Sequence, residues 1–441
     1  MNNTRSKPRP AITIFCAASG AALCVATAPA LAQDMAKPPA GAAAVDPNPY
    51  FIGVSQGFTS DSNVYRIPSG PSDLYSSTGL FGGFDQPISR QRIFGKAAVS
   101  VNRYQDETLL NNTSYDFSLG ADLSTIENIS GNLNVGISQN LSAPAATVGV
   151  PTAIRNLAQT QYANARLRWG GPSLLSVEGS LGYSKVDNSA PEYLSSDSHE
   201  TTGSLGLFYR PGEFLRVGVA ARFERSYTPN AFLDTTTGSY RSNTGEGRNF
   251  DLLAEYTVSD LLRTNGRLSY TRQTNTAIQG ADLSGLTGNI AVSWQPTAKT
   301  SVRFDAARDA GFETSTLSRY AFVDNGTGLS LTTVSALYEN NRVTDSVGLG
   351  LTYLATAKIN AGANVRYSRA TLISVVPTTP GVTTGDTVDV TKSASFGITY
   401  LITRAWSANC NYTHETRDVS GAVVYTYKVD AVGCATQFTW R

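Results

Sequence analysis

Ten lysine and arginine residues lie at positions where an alternating pattern would point their side chains away from lipid. They are Lys96, Arg166, Arg168, Arg216, Arg222, Arg263, Arg267, Arg303, Lys358 and Arg366. A lipid-facing arginine near the bilayer midplane costs roughly 2 to 4 kcal/mol, so the aqueous interior of a barrel is the favoured location for such residues. Rings of Arg and Lys select anions in pores. One interpretation is therefore a basic channel that attracts an anionic polymer.

Six acidic residues lie on comparable faces of the same predicted strands. They are Asp116, Asp122, Glu178, Glu224, Asp251 and Asp305. Carboxylates on neighbouring strands can pair with the arginines across the sheet. The second interpretation is therefore a lumen filled by ion-pair ladders that brace the wall, and the sequence leaves both interpretations open.

Catalytic chemistry has little support in the sequence. His199 and His414 are the only histidines, and Asp197 and Ser198 precede the first of them. Adjacent residues in one loop do not make a triad, which needs a nucleophile and a base oriented by a third group in space. The sequence also has no phosphate-binding GxxxxGK[ST], no CxxC and no histidine pair at metal-ligand spacing. We expect no enzyme activity, no cofactor and no metal site.

Cys410 and Cys434 are the two cysteines of the chain beyond its N-terminal segment. They fall in the last two predicted strands, and a hairpin centred near 421 to 422 places position 410 opposite roughly 432 to 434. Opposed residues at a non-hydrogen-bonded site have Cα atoms about 4.5 Å apart, within the usual range for a disulfide. We predict a disulfide between them; the alternative is two free thiols that face lipid.

The elements that carry these residues are predicted to be strands, because side-chain polarity alternates with period 2. In the segment 215–223 every odd position is apolar, and the even positions hold Arg216, Gly218, Ala220 and Arg222. Such runs are about 10 to 15 residues long, against ~5 to 6 in soluble sheets and ~9 to 11 for a strand that crosses a bilayer. Strand length favours a transmembrane β-barrel.

The connections between the strands support the same fold class. Very short turns alternate with long polar loops near 60–74, 142–156, 187–199, 228–247, 310–338 and 372–388. This rhythm is typical of an outer-membrane barrel with short periplasmic turns and long extracellular loops. We predict an all-β, antiparallel transmembrane barrel of about 18 strands, with 16 as the alternative count.

The N-terminus predicts export. Basic residues, an apolar stretch and Ala30-Leu31-Ala32 indicate a signal peptide over 1–32, followed by a Pro/Ala-rich periplasmic linker over 33–49 and the barrel over 50–441. A lipoprotein signal at Cys24 is disfavoured because Leu23 precedes that cysteine. With 35 Lys and Arg against 34 Asp and Glu, the chain is not built to coat nucleic acid. We expect it in the outer membrane of a Gram-negative bacterium.

Several motifs resemble the EpsL-type porin-like β-barrel proteins of exopolysaccharide biosynthesis loci. The similar segments are YFIG at 50–53, DSNVYR at 61–66, SRQR at 89–92, VNRY at 101–104, LNNTSY at 110–115 and GCATQFTWR at 433–441. One departure from barrels in general is the terminal Arg441, where an aromatic residue is usual; Phe438 and Trp440 are close by. The resemblance spans nearly the whole predicted barrel.

The resemblance implies a passive outer-membrane conduit that assists export or surface placement of an exopolysaccharide. Its implied partners are the polymer, the periplasmic and inner-membrane parts of the export system, the barrel-assembly machinery and outer-membrane lipid. Two alternatives remain, a general diffusion porin for small solutes and a plugged structural or adhesive surface barrel. A porin should conduct ions, whereas a plugged barrel should not.

Overall fold

A computed structural model describes most of the predicted barrel. It covers residues 49–125, 128–142, 154–170, 173–234, 239–259, 261–276, 282–324, 329–375, 387–420 and 426–441. The predicted signal peptide and almost all of the predicted linker lie outside these residues. Within them, no helix combines the length and the apolar character needed to span a membrane.

Eighteen strands account for nearly all of the described residues. They are β1 (Tyr50–Asp61), β2 (Asp73–Ile88), β3 (Gln91–Tyr104), β4 (Asn112–Ser124), β5 (Ile129–Leu141), β6 (Leu157–Trp169), β7 (Leu175–Asn188), β8 (Ser198–Tyr209), β9 (Leu215–Asp234), β10 (Ser239–Ser259), β11 (Leu262–Asn275), β12 (Leu283–Thr297), β13 (Thr300–Asp324), β14 (Leu329–Leu354), β15 (Ile359–Val375), β16 (Thr387–Leu401), β17 (Trp406–Ser420) and β18 (Tyr427–Trp440). Two short 3-10 helices, Thr108–Leu110 and Pro191–Ser196, lie between strands.

The sheet closes on itself. Each strand pairs antiparallel with its neighbours in sequence, and β18 returns to pair with β1 through contacts such as Ile52 with Trp440 and Phe58 with Cys434. Closure leaves no sheet edge, which lipid requires because it offers no partner for backbone N–H and C=O groups. The predicted fold class is confirmed, with 18 strands.

The outer face is apolar. On β9, Leu215, Val219 and Phe223 are exposed, while Arg216 and Arg222 between them are buried inside the barrel. Exposed aromatic residues form two outer belts. The belt near the short turns contains Tyr50, Trp169, Tyr209, Tyr256, Trp294, Tyr353, Tyr400, Trp406 and Trp440, and the opposite belt contains Phe58, Tyr183, Phe223, Phe250, Tyr270, Tyr367 and Tyr412. Such belts lie at the two surfaces of an outer membrane.

Two of the six predicted long loops are wrong. Most of 228–247 belongs to β9 and β10, and most of 310–338 belongs to β13 and β14, which extend as paired arms beyond the membrane. Outside lipid no alternation of polarity is required, so the sequence of such an arm looks like a loop although its backbone ladder continues. The intervals 60–74 and 187–199 contain connections between strands, as predicted, whereas most of 142–156 and of 372–388 lies outside the described residues.

One of the short turns, which the sequence predicts at Gln295 and Pro296, is also displaced. Both residues belong to β12, which ends at Thr297, and the pairing of β12 with β13 shifts register between Trp294 and Thr297. Proline has no N–H to give to a ladder, so a local irregularity near the end of a strand accommodates it.

β13 departs from the simple barrel wall in its extracellular half. Its pairing with β12 ends at Arg308, whereas its pairing with β14 continues to Asp324. Beyond that separation, the Nε2 of Gln273 on β11 donates to the carbonyl oxygen of Ala310 at 2.8 Å, bypassing β12. Cα atoms of β13 also come within 8 Å of β9 and of the 3-10 helix Pro191–Ser196. We conclude that β13 leans inward at this level.

Cys410 and Cys434 form a disulfide. They are direct register partners on β17 and β18, with Cα atoms 4.1 Å apart. Both lie on the outer face, because Tyr412 and Val432 beside them are exposed to lipid.

We predict that the freshly purified, unreduced protein contains no alkylatable thiol at these two positions. Exposure to an oxidising compartment during export and the short separation both favour the bond. Mass spectrometry of peptides treated with maleimide before and after reduction measures this. Modification of both cysteines before reduction would contradict the prediction.

Candidate functional site in the lumen

A network of three arginines and two glutamates lines the periplasmic half of β6 to β10. Nε of Arg166 and Nη2 of Arg168 bind the two oxygens of Glu178 at 2.6 and 2.9 Å. Arg216 binds Glu178 at 3.2 Å and Glu255 at 2.9 Å. Each carboxylate is therefore shared by more than one arginine, which ties four of these strands together.

Arg216 is the centre of this network. Its side chain is only 4% exposed. Its guanidinium lies 3.6 Å from the centre of the Phe208 ring, and Nη2 lies 3.3 Å from the hydroxyl oxygen of Ser176. A guanidinium can stack on a ring face and pair with carboxylates through its edge at the same time. Arg216 is a bracing residue and does not present free charge to the lumen.

A second network lies further toward the extracellular side, on β9, β10, β11 and β13. Arg222 pairs with Asp251 at 3.0 Å and also contacts Glu224. Arg267 pairs with Asp309 at 3.4 Å across the line of β12. Five of the ten predicted basic residues, Arg166, Arg168, Arg216, Arg222 and Arg267, are thus neutralised by carboxylates.

Three predicted residues present free charge to the lumen. Lys96 on β3, Arg303 on β13 and Arg366 on β15 are exposed on the inner face, and no carboxylate among the described residues lies within 4.0 Å of them. Arg303 and Arg366 share one stretch of wall, since Gly350 and Gly348 of β14 are their respective register partners. β3 lies on nearly the opposite side of the 18-stranded ring.

The remaining two predicted basic residues, Arg263 and Lys358, differ in their positions. Arg263 lies on the inner face of β11, where it pairs in register with Ser293. Lys358 lies in the turn just before β15, where its Nζ is 3.4 Å from the carbonyl oxygen of Ile402 in a neighbouring turn. It is therefore at the periplasmic end of the wall, one residue outside the strand.

Buried polar atoms without a partner gather on the inner face of β10 and β11. Within the described part of the protein, no hydrogen-bond partner is found for Asn249 Oδ1 and Nδ2, Arg267 Nε, Ser269 Oγ and Gln273 Oε1. Asn249 is adjacent to Thr271 in register, and Ser269 to Asp251, so these groups form one patch. Buried polar atoms normally have partners, and these are packed too closely for a solute in the lumen to reach them.

The wall from β14 to β18 is lined by small and polar side chains. Asparagines, serines, threonines and glycines occupy most of its inward positions. They include Ser346, Gly348, Gly350, Asn360, Gly362, Asn364, Ser393, Ser395, Gly397, Thr399, Asn409, Asn411 and Thr413. Amides and hydroxyls can exchange hydrogen bonds with water or with sugars without a strong charge preference.

The extracellular ends of β1 to β4 carry a packed cover that sequence reasoning did not identify as a structure. Tyr65 and Leu110 are buried together with Val64. The Tyr65 hydroxyl donates to Glu107 Oε2 at 2.7 Å, and burial together with that bond raises the pKa of Tyr65 to about 12. Arg66 pairs with Asp61 at 2.8 Å. The segments 61–66 and 110–115, noted for their resemblance, thus meet at the mouth of the barrel.

The histidines do not form a triad. The Asp197 carboxylate accepts the backbone N–H of Asn188 at 2.7 Å, whereas the His199 ring packs edge-on against Tyr227. Burial raises the pKa of Asp197, which lies outside the strands. His414 Nδ1 lies 2.7 Å from Asp430 on the outer face. Among the described residues, no cluster of three or more His, Cys, Asp and Glu could hold a metal ion.

Together, the closed sheet, the apolar outer face with two aromatic belts and the charged interior define a transmembrane β-barrel of the outer-membrane class. Comparison with known proteins adds likenesses in fold. The siderophore receptor PirA from Acinetobacter baumannii is similar with a TM-score of 0.46 and 8% identity, over 89% of this chain and 81% of that chain. OccK1 (OpdK) from Pseudomonas aeruginosa is similar with a TM-score of 0.45 and 10% identity, over 89% and 99% of the two chains.

The siderophore receptor PiuA from Acinetobacter baumannii has a TM-score of 0.43 and 10% identity, over 88% of this chain and 82% of that chain. No protein-family model matches the sequence, and no curated protein matches it. Identities at this level concern the fold alone.

Proposed function

We propose that the barrel is a passive outer-membrane conduit that assists export or surface placement of an exopolysaccharide. The observation that carries the proposal is the inner wall of β14 to β17, which is lined by asparagine, serine and threonine side chains. It offers amide and hydroxyl groups together. A polymer of sugars supplies hydroxyls that both donate and accept, so it complements such a wall. The resemblance to EpsL-type proteins supports the choice of polymer.

Three inward cations without an ion pair support a polymer that carries acidic groups, against two inward carboxylates, Asp116 and Asp305, that also have none among the described residues. Lys96 faces Arg303 and Arg366 across the ring, and the ion-paired networks elsewhere leave these three as free cations. Field lines focus within a lumen surrounded by low-dielectric wall, so a few free cations suffice to raise the local concentration of anions. The braced wall of β6 to β11 keeps the passage rigid.

A passive conduit needs a source of energy elsewhere. The proposed partners are therefore the periplasmic and inner-membrane components of a polysaccharide export system, besides the barrel-assembly machinery and outer-membrane lipid. We propose no catalytic role, since Asp197 contacts Asn188 whereas His199 packs against Tyr227.

A plugged structural barrel is the second candidate, and a specific observation favours it. The inward lean of β13 narrows the extracellular mouth, and Tyr65, Leu110 and Glu107 form a packed cluster at the ends of β1 to β4. A conduit would require these segments to move during transport, whereas a structural barrel would keep them closed.

We predict that deletion of the gene reduces surface polysaccharide while synthesis of the precursor continues. A conduit acts after polymerisation, so polymer or its lipid-linked precursor should accumulate inside the cell. Quantification of surface and cell-associated polymer measures both effects, and expression of the gene in trans is the control. Unchanged surface polymer, in a strain without a related barrel, would instead support the structural barrel or a porin.

A further inference from the structure

Just beyond the outer aromatic belt on the extracellular side, charged side chains point outward from the barrel. On most strands these charges are balanced by a neighbour. Arg308 on β13 and Asp345 on β14 are register partners with an ion pair of 3.4 Å. Lys392 pairs with Asp418 at 3.6 Å, and Lys428 lies 3.9 Å from Asp430. In these examples, neighbouring charged side chains on the outer surface are opposite in sign.

A pair of like charges on β10 and β11 is an exception. Arg248 on β10 and Arg272 on β11 are direct register partners, and both point outward and are exposed. Like charges directly opposite each other on adjacent strands destabilise a sheet. No carboxylate among the described residues lies within 4.0 Å of Arg248, whereas Arg272 pairs with Asp282 at 3.8 Å, a distance like those of the balanced pairs above. The two arginines in register therefore share a single carboxylate, and Arg248 keeps its charge without an ion pair.

The surroundings of the pair identify a lipid-facing location. One residue pair closer to the membrane, Phe250 and Tyr270 are also register partners, and they are 54% and 56% exposed. On the other side of Arg248, its register partner on β9 is the exposed Phe223. Aromatic rings at this level lie where acyl chains meet headgroups. The two guanidiniums are thus placed at headgroup depth, directly above an apolar platform.

We propose that Arg248 and Arg272 bind a phosphate on the headgroup of a phosphorylated glycolipid in the outer leaflet. Two guanidiniums can each donate two hydrogen bonds to phosphate oxygens, and the anion removes the repulsion between them. Phe223, Phe250 and Tyr270 would contact the first part of the acyl chains. The exposed Arg225, one residue pair further out on β9, is partly balanced by its register partner Glu246. Asp282 balances Arg272, so the charge left without an ion pair is that of Arg248.

The test uses the full-length barrel in detergent, titrated with bisphosphorylated lipid A and observed by native mass spectrometry. The double variant R248Q/R272Q should weaken the apparent affinity by about tenfold or more, since it removes charge-assisted hydrogen bonds. The matched control is R308Q/D345N, which alters a balanced pair at the same level and should leave the affinity almost unchanged. Equal affinity of the two double variants would overturn the proposal.

Two further binding experiments identify the chemical group that the arginine pair binds. Dephosphorylated lipid A should bind the parent as weakly as bisphosphorylated lipid A binds R248Q/R272Q; equally tight binding of both lipids to the parent would overturn a phosphate site. Inorganic phosphate should displace the lipid only at far higher concentration, and displacement at equal concentration would assign the pair to a free anion instead.

In lipid-free detergent, R248Q alone should raise the unfolding temperature, because the like-charge contact is relieved. A lower unfolding temperature would contradict the electrostatic reasoning.

Discussion

Replacement of Arg216 by methionine is expected to lower the free energy of unfolding of the barrel by about 3 kcal/mol. Removing one member of a buried ion pair typically costs ~3 to 5 kcal/mol, because the partner charge stays buried without compensation. The lower end applies here because Glu178 keeps Arg166 and Arg168. Glu255 retains only Arg168, at 4.0 Å. Denaturant titration of the barrel in lipid vesicles measures the change.

Two further variants show whether the loss comes from the stranded carboxylate. R303M removes an exposed inner arginine that has no ion pair among the described residues, so it should cost less than ~1 kcal/mol. E255Q introduced into R216M should recover part of the loss, because the carboxylate left without its main partner is then neutral. A loss in R216M no larger than that in R303M would show that the network does not brace the wall.

Much of the fold is encoded locally and could be predicted from the sequence. Lipid imposes alternation on every membrane-spanning strand, so Leu215, Val219 and Phe223 mark one face of β9 without knowledge of any neighbour. The disulfide could be predicted for a related reason. β17 and β18 form a hairpin, and the turn fixes their register closely enough to place Cys410 opposite Cys434.

The long arms could not be predicted, because the constraint that makes strands visible ends at the membrane surface. β13 and β14 pair as far as Asp324 and Leu329, yet their sequence beyond the membrane shows no regular alternation. Their backbone hydrogen bonds stabilise them regardless of which side chains face outward.

The distribution of free and paired charge could not be predicted either. Arg216 and Glu255 are register partners on adjacent strands, but the loop predicted at 228–247 hid the pairing of β9 with β10 that sets this register. Glu178 reaches Arg216 from β7, and Asp309 reaches Arg267 past β12 only because β13 leans inward. Such contacts depend on side-chain length and on the shape of the barrel. The ion-pair interpretation therefore describes the wall of β6 to β11, and the basic-channel interpretation stays a prediction for the wall that carries Lys96, Arg303 and Arg366.

The second large effect is expected in ion selectivity. Reconstituted in a planar bilayer under a salt gradient, the parent barrel should prefer anions, because Lys96, Arg303 and Arg366 are free cations on the inner wall. The triple variant K96S/R303S/R366S should lose this preference, with the reversal potential moving to zero or to the cation side. The serines keep the wall polar, so the change isolates charge from wetting.

A matched control removes the same number of charges from the outer face of the same three strands. Arg103 on β3, Arg308 on β13 and Arg369 on β15 point outward, as their exposed neighbours Val99, Phe304 and Tyr367 on the same faces indicate. R103S/R308S/R369S should therefore shift the reversal potential far less, because charge outside the wall is screened by salt within about 10 Å at 0.1 M. Equal shifts in both triple variants would mean that total charge, and not the lumen, sets selectivity. Cation preference in the parent would show that Asp116 and Asp305, the inward carboxylates nearest these cations along the wall, dominate the field.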